Sequence, residues 1–140
     1  MKLAIMQPYF FPYIGYFQLM NAVDEWVIFD NIQYIRHGWV NRNRILSPNL
    51  EKEWQYVLVP LDKHSKEDLI NEIKIINTNS WKDDIIGKLS YYKRIRAPYY
   101  HQIIALVEKC FDNNVISLIE LNTITLKHIT DYLGINFNYS

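Results

Sequence analysis

The chain has 140 residues, of which 49% are hydrophobic and 21% charged, and its fifteen basic residues balance fifteen acidic ones. This composition excludes intrinsic disorder, and the zero net charge excludes recruitment of nucleic acid by a global electrostatic field. The length suits one domain, so we expect residues 1–140 to form a single α/β domain.

The first segment predicts a βαβ unit. Leu3–Met6 is an apolar run without polar alternation, which is typical of a strand covered on both faces. Pro8 ends this strand, an aromatic loop follows, and a helix is expected from Gly15 to about Asp24. Trp26–Phe29 predicts the second strand. Ligands of open α/β sheets bind at the carboxyl ends of the strands, so we expect the site at the aromatic loop and beyond the second strand.

The rest of the chain predicts a hairpin followed by helices. A weak strand signal begins at Trp39, and Trp54–Val59 is a clear strand, so the two are expected to pair antiparallel through a loop of about seven residues. A short edge strand is expected at Ile73–Ile76 and a last strand at Ile135–Tyr139. Three helices are expected between them: the first at Trp81–Arg94, the second starting at Pro98, and the third at Ser117–Leu133, where Gly134 ends it. The predicted fold class is a three-layer, Rossmann-like α/β domain. Its sheet is expected to be mixed and mostly parallel, with helices on both faces.

Targeting and redox signals are absent from the sequence. The only cysteine, Cys110, excludes an intrachain disulfide and fits a reducing compartment. No apolar run approaches the ~20 residues that span a bilayer, and no signal-peptide pattern is present. We therefore expect a cytoplasmic protein.

The block IMQPYFFPYIGYFQLMNAVDEWVIFDNIQYIRHGWVNRNRIL resembles the WbqC-like family of bacterial proteins. Looser matches follow at Asn71–Ile73, Trp81, Ala97–Tyr99 and Tyr132–Ile135. The resemblance implies a role in surface polysaccharide (O-antigen, lipopolysaccharide) biosynthesis. Some relatives are described as transferring glycine or a similar acyl group to an amino sugar on a nucleotide carrier. The resemblance also implies that relatives carry a further C-terminal segment. A site that needs residues from that segment would be incomplete here.

A cationic stretch supplies the candidate binding groups. Residues 31–46 contain three arginines and a histidine but no acid. Guanidinium forks suit phosphate or carboxylate, free amides at a helix start add positive charge, and aromatic rings stack on a base or a sugar. The predicted substrate-binding residues are Gln7, Tyr9, Tyr13, Gly15, Tyr16, Tyr34, Arg36, Trp39, Asn41, Arg42 and Arg44. The alternative is that the arginines lie on the solvent side of a strand and the tyrosines fill the seam between sheet and helix.

Asp30 and His37 are the candidates for acid–base catalysis. Asp30 follows a strand, and His37 lies among the arginines, where its imidazole can titrate near neutral pH. The alternatives are an aspartate that orients a ligand and a solvated surface histidine. The other histidines have no metal-ligand spacing, and no glycine-rich phosphate motif occurs, so neither a metal nor a cofactor is expected.

Together these features predict a transferase that moves an aminoacyl or acyl group, such as glycine, onto a nucleotide-linked amino sugar. The alternative is a non-catalytic module that binds a nucleotide or glycan for a partner enzyme. The expected partner is a small-molecule substrate, with no nucleic acid and no membrane span. Association into a homo-oligomer stays open.

Overall fold

A computed structural model describes all residues from 1 to 140. It is a mixed α/β chain with four α-helices and two small sheets. In chain order the elements are β1 (Leu3–Met6), α1 (Ile14–Ala22), β2 (Glu25–Ile28), β3 (Arg42–Leu46), β4 (Trp54–Leu58), a 3₁₀ turn (Ile70–Glu72), α2 (Asn79–Arg94), α3 (Tyr100–Phe111) and α4 (Leu118–Leu133). No helix combines the length and the hydrophobicity that crossing a membrane requires.

The predicted βαβ unit is confirmed. β1 and β2 pair in parallel, with Ala4 opposite Trp26 and Met6 opposite Ile28. Their inner face packs against α1 and against Leu126 of α4 in a small hydrophobic cluster. The chain end adds only a bridge to this sheet, between Trp26 and Tyr139, instead of the predicted last strand.

The prediction that β1 is covered on both faces is wrong. Leu3 and Ile5 are 48% and 55% exposed, because the helices that pack on this sheet lie on the side of Ala4 and Trp26. β3 and β4 form a second, separate sheet. The predicted single sheet, mostly parallel and layered between helices in a Rossmann-like manner, is therefore not confirmed.

The hairpin is confirmed, including its loop of seven residues from 47 to 53. β3 and β4 pair antiparallel, with Arg42 opposite Leu58, Arg44 opposite Tyr56 and Leu46 opposite Trp54. Side chains alternate along a strand, so these residues share one face and Val57 belongs to the other. Val57 is buried in the larger hydrophobic cluster, which also contains Ile85 of α2.

The helices begin and end near their predicted bounds. Ser117 caps α4, where its side chain accepts a hydrogen bond from Glu120 N, and Gly134 ends it with φ 68°. α3 begins at Tyr100 instead of Pro98, because Tyr99 has a left-handed backbone with φ 63°. The expected edge strand at Ile73–Ile76 is reduced to two bridges, from Ile75 to Leu61 and from Lys74 to Ser117.

Candidate functional site

The aromatic loop between β1 and α1 is held by its own side chains. Phe10 is fully buried in the larger cluster, and its backbone N donates to Trp39 O at 3.0 Å. Tyr16 is 1% exposed and donates its hydroxyl to Gln7 O. Burial raises the pKa of Tyr16 well above its ordinary value, so its hydroxyl stays protonated. Tyr16 and Gln7 therefore fix the loop internally.

Three other predicted loop residues occupy different environments. Tyr9 is half-buried, contacts both hydrophobic clusters, and its ring lies 5.8 Å from the ring of Tyr16. Tyr13 is 69% exposed and precedes α1. Its ring covers Gly15, where an added Cβ would meet the Cε2 atom of Tyr13 at 2.5 Å. Of these three, only Tyr13 presents most of its side chain to solvent.

Two asparagine side chains join this loop to the cationic stretch. Asn43 Nδ2 donates to Phe10 O at 3.2 Å and also to Phe11 O. Asn122, fully buried on α4, donates from Nδ2 to Pro8 O at 2.8 Å and to Val40 O at 2.7 Å. The loop and the residues before β3 are thus connected by two amide side chains that sequence reasoning missed.

The sequence feature that could have identified Asn122 is its position: it is an amide side chain within an apolar helical stripe. Its neighbours on the buried side of α4 include Leu118, Leu121 and Leu126. A buried amide requires partners. Sequence alone, however, does not tell that the partners are carbonyls 82 and 114 residues away.

Tyr34 and Asn41 lie in the core. Tyr34 donates its hydroxyl to Asn41 Oδ1 at 2.8 Å, and Asn41 Nδ2 donates to Val59 O at 2.9 Å. Burial raises the pKa of Tyr34, and the positive charges of Arg42 and Arg36 oppose that rise. Both side chains have their hydrogen-bond partners inside the protein, so these residues pack in the core and do not face an open binding surface.

The arginines of β3 lie on the outward face of the hairpin. The guanidinium carbon of Arg44 is 4.0 Å from the ring centre of Trp54, 5.2 Å from that of Trp39 and 5.6 Å from that of Tyr56. That of Arg42 is 5.3 Å from the ring centre of Tyr56. We call these five residues the arginine–aromatic face. Trp54 and Tyr56 were predicted as strand residues but not as site residues.

The guanidiniums of this face have no carboxylate partner. The ion pairs of the chain join the N-terminal amine to Asp24 and Lys88 to Asp84. In addition, Arg42 Nε is buried and has no hydrogen-bond acceptor. The pKa of Tyr56 is lowered, first by its hydrogen bond from Arg44 and further by the charge of Arg42. The face is therefore positively charged and open to an anion.

Asp30, Arg36 and His37 lie between the two strand pairs. The backbone O of half-buried Asp30 accepts from Asn71 N at 3.1 Å, which connects this segment to the 3₁₀ turn. Arg36 and His37 are exposed, and His37 has φ 64° in a turn closed by the bond from Gly38 N to Ile35 O. The side chains of Asp30 and His37 form no hydrogen bond with each other.

An apolar cavity of about 330 Å³ adjoins both segments. Phe11 and Tyr13 of the loop and Asn43, Arg44 and Ile45 of β3 contribute to its wall. The remaining lining residues come from β4, α2 and α3: Val57, Ile85, Leu89, Ile103 and Val107. Of the predicted site residues, this cavity brings together Tyr13 and Arg44.

No group of three or more histidine, cysteine, aspartate or glutamate side chains is arranged to hold a metal ion. Cys110 is buried, and burial raises its pKa to about 12. A thiol of this kind is protonated at neutral pH and so does not serve as a nucleophile.

Comparison with known proteins supplies the family. The sequence model of the WbqC-like protein family matches residues 7–140. The chain belongs to this family. This WbqC-like chain is also 29% identical over 135 residues to the uncharacterized protein Rv1507c of Mycobacterium tuberculosis. The alignment covers 96% of the WbqC-like chain but only 57% of that relative. No solved structure gives a significant match.

The family match includes every part of the candidate site of the WbqC-like chain. The aromatic loop, the arginine–aromatic face and α4 with Asn122 all lie within residues 7–140. The resemblance noted in the sequence is thereby confirmed as membership.

Proposed function

We propose that this WbqC-like protein acts in bacterial surface polysaccharide (O-antigen) biosynthesis as a transferase. It would move an aminoacyl or acyl group, such as glycine, onto a nucleotide-linked amino sugar. The observation that carries this proposal is the arginine–aromatic face. There, two guanidiniums without a carboxylate partner stand beside three aromatic rings.

Each part of the face matches one part of such a substrate. A nucleotide sugar carries a diphosphate, which forked guanidinium donors bind, and flat or ring-shaped groups, which stack on aromatic side chains. Arg44 is already restrained by three rings, so less side-chain freedom is lost when an anion binds.

The reaction also requires a group that accepts a proton. When the amine of the acceptor sugar attacks the acyl carbon of an activated donor, the new C–N bond forms and the bond from the acyl carbon to the donor's leaving group breaks. The leaving group departs with that electron pair, and the nitrogen must lose a proton. We assign this role to Asp30 or His37, which lie on the segment that leads from β2 to the arginines. Arg36, exposed on the same segment, would add positive charge near the phosphates.

Thermal unfolding with UDP-glucosamine, UDP and free glucosamine tests the binding part of the proposal. We expect UDP-glucosamine and UDP to raise the Tm and free glucosamine to leave it unchanged. Arg42→Ala and Arg44→Ala should remove the shift, whereas Lys52→Ala, a matched loss of charge on the hairpin loop, should keep it. An equal shift in all variants would show that the anion site is elsewhere.

Turnover tests the catalytic part separately. Asp30→Asn and His37→Ala are both expected to keep the Tm shift with UDP-glucosamine, and one of them should abolish acyl transfer. If both variants transfer the acyl group at the rate of the unchanged protein, neither residue handles the proton.

The second candidate is a non-catalytic module that binds a nucleotide or glycan for a partner enzyme. It is favoured because the side chains of Asp30 and His37 form no hydrogen bond with each other, whereas a catalytic base is commonly oriented by a neighbouring side chain. Under this alternative, UDP-glucosamine binds through the arginine–aromatic face, the purified protein transfers no acyl group, and activity requires the added partner.

A further inference from the structure

Two apolar cavities follow one another along the seam between α2 and α3. The first is the cavity of about 330 Å³ beside the aromatic loop, and the second, of about 220 Å³, lies toward the α2–α3 connection. Leu89 of α2 and Ile103 of α3 line both of them. The two cavities are therefore neighbours that share walls, and we call them together the α2–α3 groove.

The groove is lined mainly by apolar side chains. Its floor in the first cavity consists of Val57, Ile85 and Val107, which are core residues with exposures of 3%, 2% and 6%. Ile103, at 39% exposure, lies at its open side. The second cavity continues along apolar side chains to Ala97 and Pro98. A slim aliphatic chain fits between packed helices in this way, whereas a helix from another protein needs a broader groove.

Positive charge is concentrated where the groove ends. Lys93 and Arg96 are the chain neighbours of Tyr92 and Ala97, which line the second cavity, and neither has a carboxylate partner in the structure. Both are exposed, whereas Arg94 stacks on Tyr91 and lines a different cavity. We propose that the α2–α3 groove binds a single aliphatic chain whose anionic head lies beside these cations.

Backbone strain flanks the same groove. Of the four non-glycine residues with positive φ, three adjoin it: Phe11 with φ 44°, Arg96 with φ 54° and Tyr99 with φ 63°. Bulky residues rarely adopt this conformation, and such strain is common beside ligand sites. Phe11 lines the first cavity, and Arg96 and Tyr99 flank Ala97 and Pro98 of the second.

The proposal is independent of the proposed function. The inward side chains of β3 and β4, such as Ile45 and Val57, line the groove, whereas most of the arginine–aromatic face is on the outward side of the same strands. Arg44 is the one residue of that face that also contributes to the wall of the groove.

Calorimetric titration of the purified chain tests the proposal with three ten-carbon probes, used below the concentrations at which they form micelles. Decanoate and decyl phosphate carry a carboxylate and a phosphate head, and decanol carries a neutral one. We expect saturable binding at one molecule per chain for both anions and weaker binding for decanol. Tighter binding of one anion identifies the head group. Equal binding of decanol would overturn the assignment of the head to the cations.

Two pairs of variants locate the binding site. Ile103→Glu places a carboxylate in the shared wall and should weaken decanoate binding about tenfold or more, while Ile116→Glu, at a 59% exposed isoleucine, should not. Arg96→Gln should weaken it about threefold to tenfold, while Lys52→Gln should not. Unchanged affinity in Ile103→Glu would overturn the proposal.

Methyl NMR of the unchanged protein provides a readout that does not depend on variants. Decanoate should shift the methyl resonances of Leu89, Ile103 and Val107 and leave those of Leu3 and Ile5 in place. Shifts confined to other methyl groups would overturn the proposal. A second outcome would also overturn it: no saturable decanoate binding, together with a concentration-dependent dimer that Ile103→Glu abolishes. The groove would then be an interface between copies of the chain.

Discussion

The two strand pairs are exposed to a similar degree but differ in chemistry. On β1, Leu3 and Ile5 are 48% and 55% exposed, and on β4, Trp54 and Tyr56 are 39% and 37% exposed. The outward face of the parallel pair carries aliphatic side chains and one acid, Glu25 opposite Leu3, whereas that of the antiparallel pair combines guanidiniums with aromatic rings. Exposed apolar area alone therefore does not distinguish the two faces, and the proposed ligand surface is assigned to the antiparallel pair because of its guanidiniums.

The inner faces of the two pairs are connected through one residue of α4. β1 and β2 pack in the smaller hydrophobic cluster and β4 in the larger one. Asn122 donates to the loop that leaves β1 and to the residue that leads toward β3. Together with Asn43, this buried amide helps to fix the relative position of the two pairs.

Replacement of this amide should have the largest effect. Asn122→Ala leaves the carbonyls of Pro8 and Val40 without their donor, and each buried unsatisfied group costs about 1–3 kcal/mol. We expect the free energy of unfolding in urea to fall by about 2–5 kcal/mol, together with the UDP-induced Tm shift. The control is Asn136→Ala, at an exposed asparagine. Equal losses of unfolding free energy in both variants would show that Asn122 does not connect the two strand pairs.

Adjacent residues of β4 sharpen the contrast between inner and outer faces. Val57→Ala removes buried methyl groups from the larger cluster and should cost about 1–3 kcal/mol of unfolding free energy while keeping UDP binding. Tyr56→Ala should change stability by less than about 0.5 kcal/mol and weaken UDP binding severalfold.

The matched control for this pair lies on β1. Ile5→Ser changes an outward residue of the parallel pair and should affect neither stability nor UDP binding beyond the error of measurement. A loss of UDP affinity in Ile5→Ser, or none in Tyr56→Ala, would contradict the assignment of ligand binding to the antiparallel pair.

Local patterns in the sequence predicted most of the elements. The strand signals from Trp39 and at Trp54–Val59 identified the hairpin, the long helices were placed near their bounds, and Gly134 marked the end of α4. The pairing of strands that are distant in sequence has no such local pattern. The separation of the two sheets and the exposure of Leu3 and Ile5 were therefore missed.

The candidate site was predicted at the level of segments, not of individual side chains. The sequence indicated the aromatic loop and the arginines, and the structure joins those two segments through Asn43 and Asn122. It also places Tyr34 and Asn41 in the core. Which residues of a strand point outward with Arg44 depends on the register of β3 and β4, and periodicity alone does not give that register.

The effect of pH on the arginine–aromatic face should be the smallest. The pKa of Tyr56 is lowered, mainly by its hydrogen bond from Arg44, so its phenolate forms below the ordinary tyrosine value of about 10. A phenolate beside the guanidiniums competes with an anionic ligand. UDP affinity should therefore fall modestly as the pH rises from neutral toward that value. Tyr56→Phe should abolish this fall, whereas Tyr99→Phe, at a 67% exposed tyrosine, should preserve it. If the fall is the same in Tyr56→Phe, the phenol of Tyr56 does not contact the ligand site.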